Sequence, residues 1–115
     1  MDIFMSRNQS FKNLEVLWKT IEQRASSASP EDSYVAYLLS KGTKECSKKL
    51  SEEAIEVSLA AISLDKTETI KESADVLFHI FVLWKSLNIQ PSQIMEELKN
   101  REAISGHEEK RSRKK

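Results

Sequence analysis

A chain of 115 residues is enough for one compact domain and too short for two. Lysine and arginine total 18, as do aspartate and glutamate, so the formal net charge is zero; that excludes the basic excess of a general nucleic-acid binder. One cysteine (Cys46) and two histidines (His79, His107) exclude an internal disulfide and a closed four-ligand zinc site, unless chains share ligands.

Met1–Ser10 carries no basic-then-apolar signal pattern. The longest apolar run, Ile80–Trp84, is far below the roughly 20 residues of a membrane span. A cytoplasmic protein with no membrane partner is expected. Gly42, Gly106, Pro30 and Pro91 are too few to supply the turns of a sandwich or barrel. The fold class that follows is all-α, an antiparallel bundle of about five helices.

In chain order, residues 1–10 are polar, lack periodicity and read as a loose N-terminal segment. A helical domain then occupies residues 11–104. Phe11, Leu14, Val16, Leu17, Trp18 and Ile21 keep helical spacing to about Arg24, and the run from Ser26 to Pro30 ends that helix. Glu31-Asp32-Ser33 offers caps for a short helix holding Tyr34, Val35, Leu38 and Leu39, which stops near Lys41-Gly42. A longer helix is expected from Thr43 to about Ser63. Leu64–Thr67 is a short connection, so the next helix, Glu68 to Leu87, returns antiparallel. The second half of that helix is apolar nearly all round and needs cover on several sides, which argues for a homodimer. Pro91 opens a last helix that ends near Arg101. Residues 105–115 form a polar, basic tail.

The chemistry lies in two acidic clusters on the antiparallel pair. On a helix Glu52 and Glu56 are roughly 40° apart and Glu53 and Glu56 roughly 60° apart, so all three can share one side. Glu72 and Asp75 form an i, i+3 pair on the returning helix. Glu56 and Glu72 are about equally far from the turn, so up to five carboxylates are expected to converge. Same-sign groups in that arrangement repel, and an oxygen-only donor set favours a hard dication, Mg²⁺ first and Mn²⁺ second. Two solvated acidic helix faces are the plainer alternative, although two such pairs mirrored about one turn and flanked by expected core residues such as Val57, Ala74 and Leu77 count against it. A di-iron site requires Glu-x-x-His on two helices. No Glu lies three before His79, which reads as a core or interface histidine. Several carboxylates around Mg²⁺ suit phosphoanhydride chemistry, and Lys48 and Lys49, one turn before the acidic run, can meet phosphates.

These residues resemble a known family. Glu52-Glu53-x-x-Glu56, then fifteen residues, then Glu72-x-x-Asp75 is similar to the metal signature of the all-α nucleoside triphosphate pyrophosphohydrolases. The nearest resemblance within that superfamily is to the phosphoribosyl-ATP pyrophosphohydrolases. It rests on Asp32–Ala36 with Lys41-Gly42, on Lys48–Val57, and on the Ser105–Arg113 segment. Ser51 and Val35 stand where the family often has Gly and Thr. The resemblance covers about residues 14–113. It implies Mg²⁺-dependent hydrolysis of phosphoribosyl-ATP to phosphoribosyl-AMP and pyrophosphate, the second step of histidine biosynthesis, usually by a homodimer. Many members are fused to the zinc-dependent cyclohydrolase that acts next; this chain is too short for it and lacks its cysteines, so that activity is expected on a separate polypeptide.

Carried onto this chain, the resemblance makes Glu53, Glu56, Glu72 and Asp75 the metal ligands and Glu52 the residue that orients or deprotonates water. Lys48, Lys49, Lys41, Ser33 and Tyr34 would contact substrate, with Ser33 as a helix cap and Tyr34 as a core aromatic for alternatives. Lys110 and Arg113 would fold over the phosphates, the alternative being an idle solvated tail. Two other functions stay open, a house-cleaning dNTP pyrophosphohydrolase and a non-enzymatic helical adaptor.

Overall fold

A computed structural model describes residues 3–102 together with Arg111 and Arg113, with side chains from Phe11 onward. Five helices follow in order: α1 (Ile3–Ser27), α2 (Tyr34–Lys41), α3 (Thr43–Ile62), α4 (Lys66–Ser86) and α5 (Pro91–Arg101). No strand occurs among the described residues. The all-α architecture, the positions of α2 and α5 and the α3–α4 hairpin agree with the sequence reading. The start of α1 does not, because its helix begins at Ile3 rather than Phe11. Nothing before Pro30 breaks a helix, so the polar stretch continues the helical backbone although it lacks an apolar stripe.

Local chemistry sets the joints. The buried Ser33 hydroxyl accepts from the Ala36 N–H at 3.2 Å and caps α2. Gly42 takes φ +91° between α2 and α3, a conformation that side-chain-bearing residues rarely adopt. At the end of α3 the Leu64 N–H bonds Ala61 O and the Asp65 N–H bonds Ala60 O, with Leu64 left-handed at φ 60°. This is a Schellman closure built without glycine. Asp65 then caps α4, its Oδ1 accepting from the Glu68 N–H at 3.0 Å, so α4 starts two residues earlier than expected. Asn88 (φ 58°) plays the left-handed role after α4, and the Gln93 side chain accepts from the Gln90 N–H at 2.8 Å where α5 begins.

The most extensive helix pairing is α3 with α4, while α1 and α2 pack against one end of that hairpin. Trp18, Ile21, Val35, Leu38, Cys46, Phe81 and Val82 form the buried core there, and Phe78, Ile80, Leu83 and Trp84 pack around it. Trp18 meets Phe81 edge-to-face, the ring centroids 5.8 Å apart. Burial pushes the Cys46 thiol up, and its Sγ lies 3.5 Å from Leu38 O, so it is a structural cysteine.

The second half of α4 is partly covered within its own chain: His79, Phe81 and Val82 are buried, and Phe78, Ile80, Leu83 and Trp84 half-buried. A continuous exposed apolar stripe lies toward the turn end of the hairpin. There Ile55, Leu59 and Ile62 expose 59–78% of their surface, and Ile70 on α4 exposes 71%. Ala74 and Leu77, expected to be core residues, are exposed as well. Such a stripe exceeds the scattered apolar residues of an ordinary surface.

Candidate metal and nucleotide site

The antiparallel crossing of α3 and α4 brings Glu53, Glu72 and Asp75 together, each offering an oxygen within 4.8 Å of the others. Glu53 and Glu72 are half-buried and Asp75 is exposed, so the cluster opens to solvent on one side. Oxygens trans across an octahedral Mg²⁺ stand about 4.2 Å apart. Small side-chain rotations would therefore seat an ion. Glu72 Oε2 is buried and without a hydrogen-bond partner among the described residues. A buried anionic oxygen left so is costly and marks a place for a cation.

The electrostatics agree. A hydrogen bond shared with Glu53 raises the Glu72 pKa above its ordinary value, and burial, Glu53, Asp75 and Glu68 add to the effect. Two carboxylates so close repel when both are charged, so the neutral form of Glu72 is favoured. Because the folded value is raised, the protonated form is the one that folding favours. That stabilisation is present at acid pH and is lost as pH rises through the raised value, and above it a dication can replace the proton. Mg²⁺ binding should accordingly weaken on acidification through that raised value and should displace protons in doing so. Calorimetry in two buffers of different ionisation enthalpy reads both effects. An affinity that stays constant as the solution is acidified through the carboxylate range would contradict the raised Glu72 value.

The expected five-fold convergence is only partly met. Three carboxylates meet, while Glu56 lies exposed one turn beyond Glu53 and outside the close cluster. Glu52 faces the lysine side, 3.6 Å from Lys49 Nζ. The Lys49 pKa is raised first by Glu52 and next by Tyr34, so this ammonium lies near Glu52 and the start of α2. Lys48 is exposed. Lys41 Nζ lies 5.4 Å from the centre of the Tyr37 ring, a cation–π contact. Ser33 is engaged as the cap of α2. Tyr34 is not a core aromatic, since it is 51% exposed. Lys110 lies outside the described residues; Arg113 is helical and exposed.

Sequence reasoning did not single out the rings around Tyr34. Tyr37 and Phe78 lie nearly parallel to it, at 6.3 and 6.0 Å, and His79 meets it edge-on at 6.1 Å. His79 is buried as expected, and burial lowers its pKa toward the neutral imidazole. The i, i+3 spacing of Tyr34 and Tyr37 was the available signal.

An α-helical hairpin that clusters carboxylates along one face, with lysines on the neighbouring turn, fits the class of phosphoanhydride hydrolases. Comparison with known proteins is specific. The family described as phosphoribosyl-ATP pyrophosphohydrolase matches residues 14–102, and the chain belongs to that family. A phosphoribosyl-ATP pyrophosphatase of Granulibacter bethesdensis is 45% identical over 102 residues, covering 89% of this chain and 63% of that protein. The Azospirillum brasilense phosphoribosyl-ATP pyrophosphatase is 41% identical, covering 88% of this chain and 90% of its own. Phosphoribosyl-ATP pyrophosphatase 1 of Rhodopseudomonas palustris is 45% identical, with 88% and 94% covered.

Proposed function

We propose that this chain hydrolyses the α–β phosphoanhydride of 1-(5-phosphoribosyl)-ATP, releasing pyrophosphate and 1-(5-phosphoribosyl)-AMP in histidine biosynthesis. Family membership supports the reaction. The observation that carries it at the level of residues is the close grouping of Glu53, Glu72 and Asp75, with its orphaned buried oxygen. These three side chains hold Mg²⁺, and Mn²⁺ suits the same donors. Glu56, a long exposed side chain on the same helix, turns inward as a further ligand. When bound, the ion neutralises phosphate oxygens and polarises the scissile anhydride.

The chain's own residues do the rest. Lys48 and Lys49 draw the polyphosphate to the mouth of the hairpin, and Lys49 is already oriented by Glu52. Glu52 accepts the proton of the attacking water, a role open to a carboxylate beside the ligands and free of the ion. The exposed apolar stripe of α3 and α4 is covered by a second copy of the chain, giving a homodimer.

The test is pyrophosphate release from phosphoribosyl-ATP with Mg²⁺ and with chelator, beside a panel of dNTPs. Release from phosphoribosyl-ATP alone, and only with metal, is the expected result. Faster turnover of a dNTP would transfer the reading to a house-cleaning enzyme. No turnover of any nucleotide would favour the adaptor.

A further inference from the structure

The rings around Tyr34 do something that the acidic cluster does not require. Tyr34 and Tyr37 expose 51% and 41% of their surface at the start of α2. An exposed tyrosine ordinarily samples several rotamers, and ordering it costs free energy on binding. Here Tyr34 is held on three sides, by near-parallel Tyr37 and Phe78 (interplanar angles 13° and 10°) and by His79, whose ring stands 88° to it. His79 is itself fixed edge-on against Phe78 at 5.0 Å and is 95% buried, given its 5% exposure. Its Nδ1 has no hydrogen-bond partner among the described residues, so packing rather than bonding sets its orientation. The result is a pre-ordered tyrosine ring, about half of whose surface meets solvent.

Its place along α4 is informative. Phe78 and His79 follow Asp75 by three and four residues, about 4.5–6 Å along the helix axis, a distance of the order of one sugar. A nucleotide with its phosphates at the carboxylates would carry its base to these rings.

We infer that Tyr34, with Tyr37 beside it, is the stacking platform for the purine of the substrate, and that His79 is the positioning residue that holds Tyr34 in place. The inference rests on the nucleotide-hydrolase reading and assigns a part of the substrate to a part of the surface. Stacking on an aromatic side chain is sequence-tolerant and strong enough to be measured by substitution.

The experiment is calorimetric binding of two probes, AMP and inorganic pyrophosphate, each with Mg²⁺. Tyr34→Leu should weaken AMP binding about 10-fold or more and leave pyrophosphate binding unchanged, whereas Tyr34→Phe should retain both. His79→Leu should weaken AMP several-fold, and His79→Phe, which restores a ring edge, should recover it. A purely structural role for His79 would move both probes together. Tyr34 is exposed, so Tyr34→Leu keeps the test valid if His79→Leu does not fold. Unchanged AMP affinity in Tyr34→Leu, or no AMP binding by the wild type, overturns the platform. Failure of pyrophosphate to bind with Mg²⁺ would instead strike at the hydrolase reading itself.

Discussion

Glu72→Gln is expected to reduce kcat/KM by roughly 10²–10³-fold or more and to leave the bundle as stable as before, or more so. Two features of Glu72 combine to produce this result. Its Oε2 is buried without a partner, and Glu53 and Asp75 stand close enough to raise its pKa. In the metal-free fold those negative charges oppose one another. An amide is neutral and can donate toward Glu53, so the repulsion is relieved and the melting temperature stays level or rises. What is lost is an anionic ligand, and with it the ion that a charged substrate needs. Thermal melts make the distinction cleanly. The wild type should gain stability with rising Mg²⁺, by about 2.7 kcal/mol at one hundred times the dissociation constant, and the variant should show little or no gain. A decorative acidic face would give flat Mg²⁺ titrations in both proteins and unchanged turnover.

Leu59→Lys should convert a dimer of about twice the 13.2 kDa chain mass into a monomer, with helical content retained. Leu59 lies in the middle of the stripe formed with Ile55 and Ile62, and more than half of its surface is exposed in the single chain. In a monomer the substitution puts a lysine where water already reaches, and such changes usually stay within about 0.5 kcal/mol. In a dimer two ammonium groups enter one apolar interface, each costing several kcal/mol. The dissociation constant should then rise by at least about 10³-fold, since each 1.4 kcal/mol is tenfold. Sedimentation velocity reads the mass and circular dichroism the helix content. A wild type that sediments as a single chain at micromolar concentration would remove the dimer from the proposal.

Much of this architecture was legible in the residues because helices advertise themselves. The spacing of Leu14, Leu17, Trp18 and Ile21, the Lys41-Gly42 stop and Pro91 each carry a local cause, and the structure reproduces them. The beginning of α1 was illegible from apolar periodicity, because a helix can continue through polar residues when nothing breaks it. The two mirrored acidic clusters were visible as well. Spacing fixes which side of a helix a residue occupies, but not which rotamer a long, exposed side chain adopts. Glu53, Glu72 and Asp75 therefore meet while Glu52 turns toward Lys49 and Glu56 stays outside. The extent of the core was misjudged for a different reason. Apolar content around α4 says that cover is needed, and only tertiary packing shows that α1 and α2 supply part of it, leaving the turn end of the hairpin bare. The aromatic group depends on contacts between α2 and α4 more than forty positions apart, which no local pattern encodes.

The packed core gathers at the end of the α3–α4 hairpin away from its turn, and the carboxylates sit about midway along the pair. Shape and chemistry are thus inherited through largely separate sets of positions. Selection can revise the reactive mouth, for a different polyphosphate or a different metal, with little risk to the scaffold that carries it. A lineage built on this plan has room to diversify its substrates while its interior hardly changes.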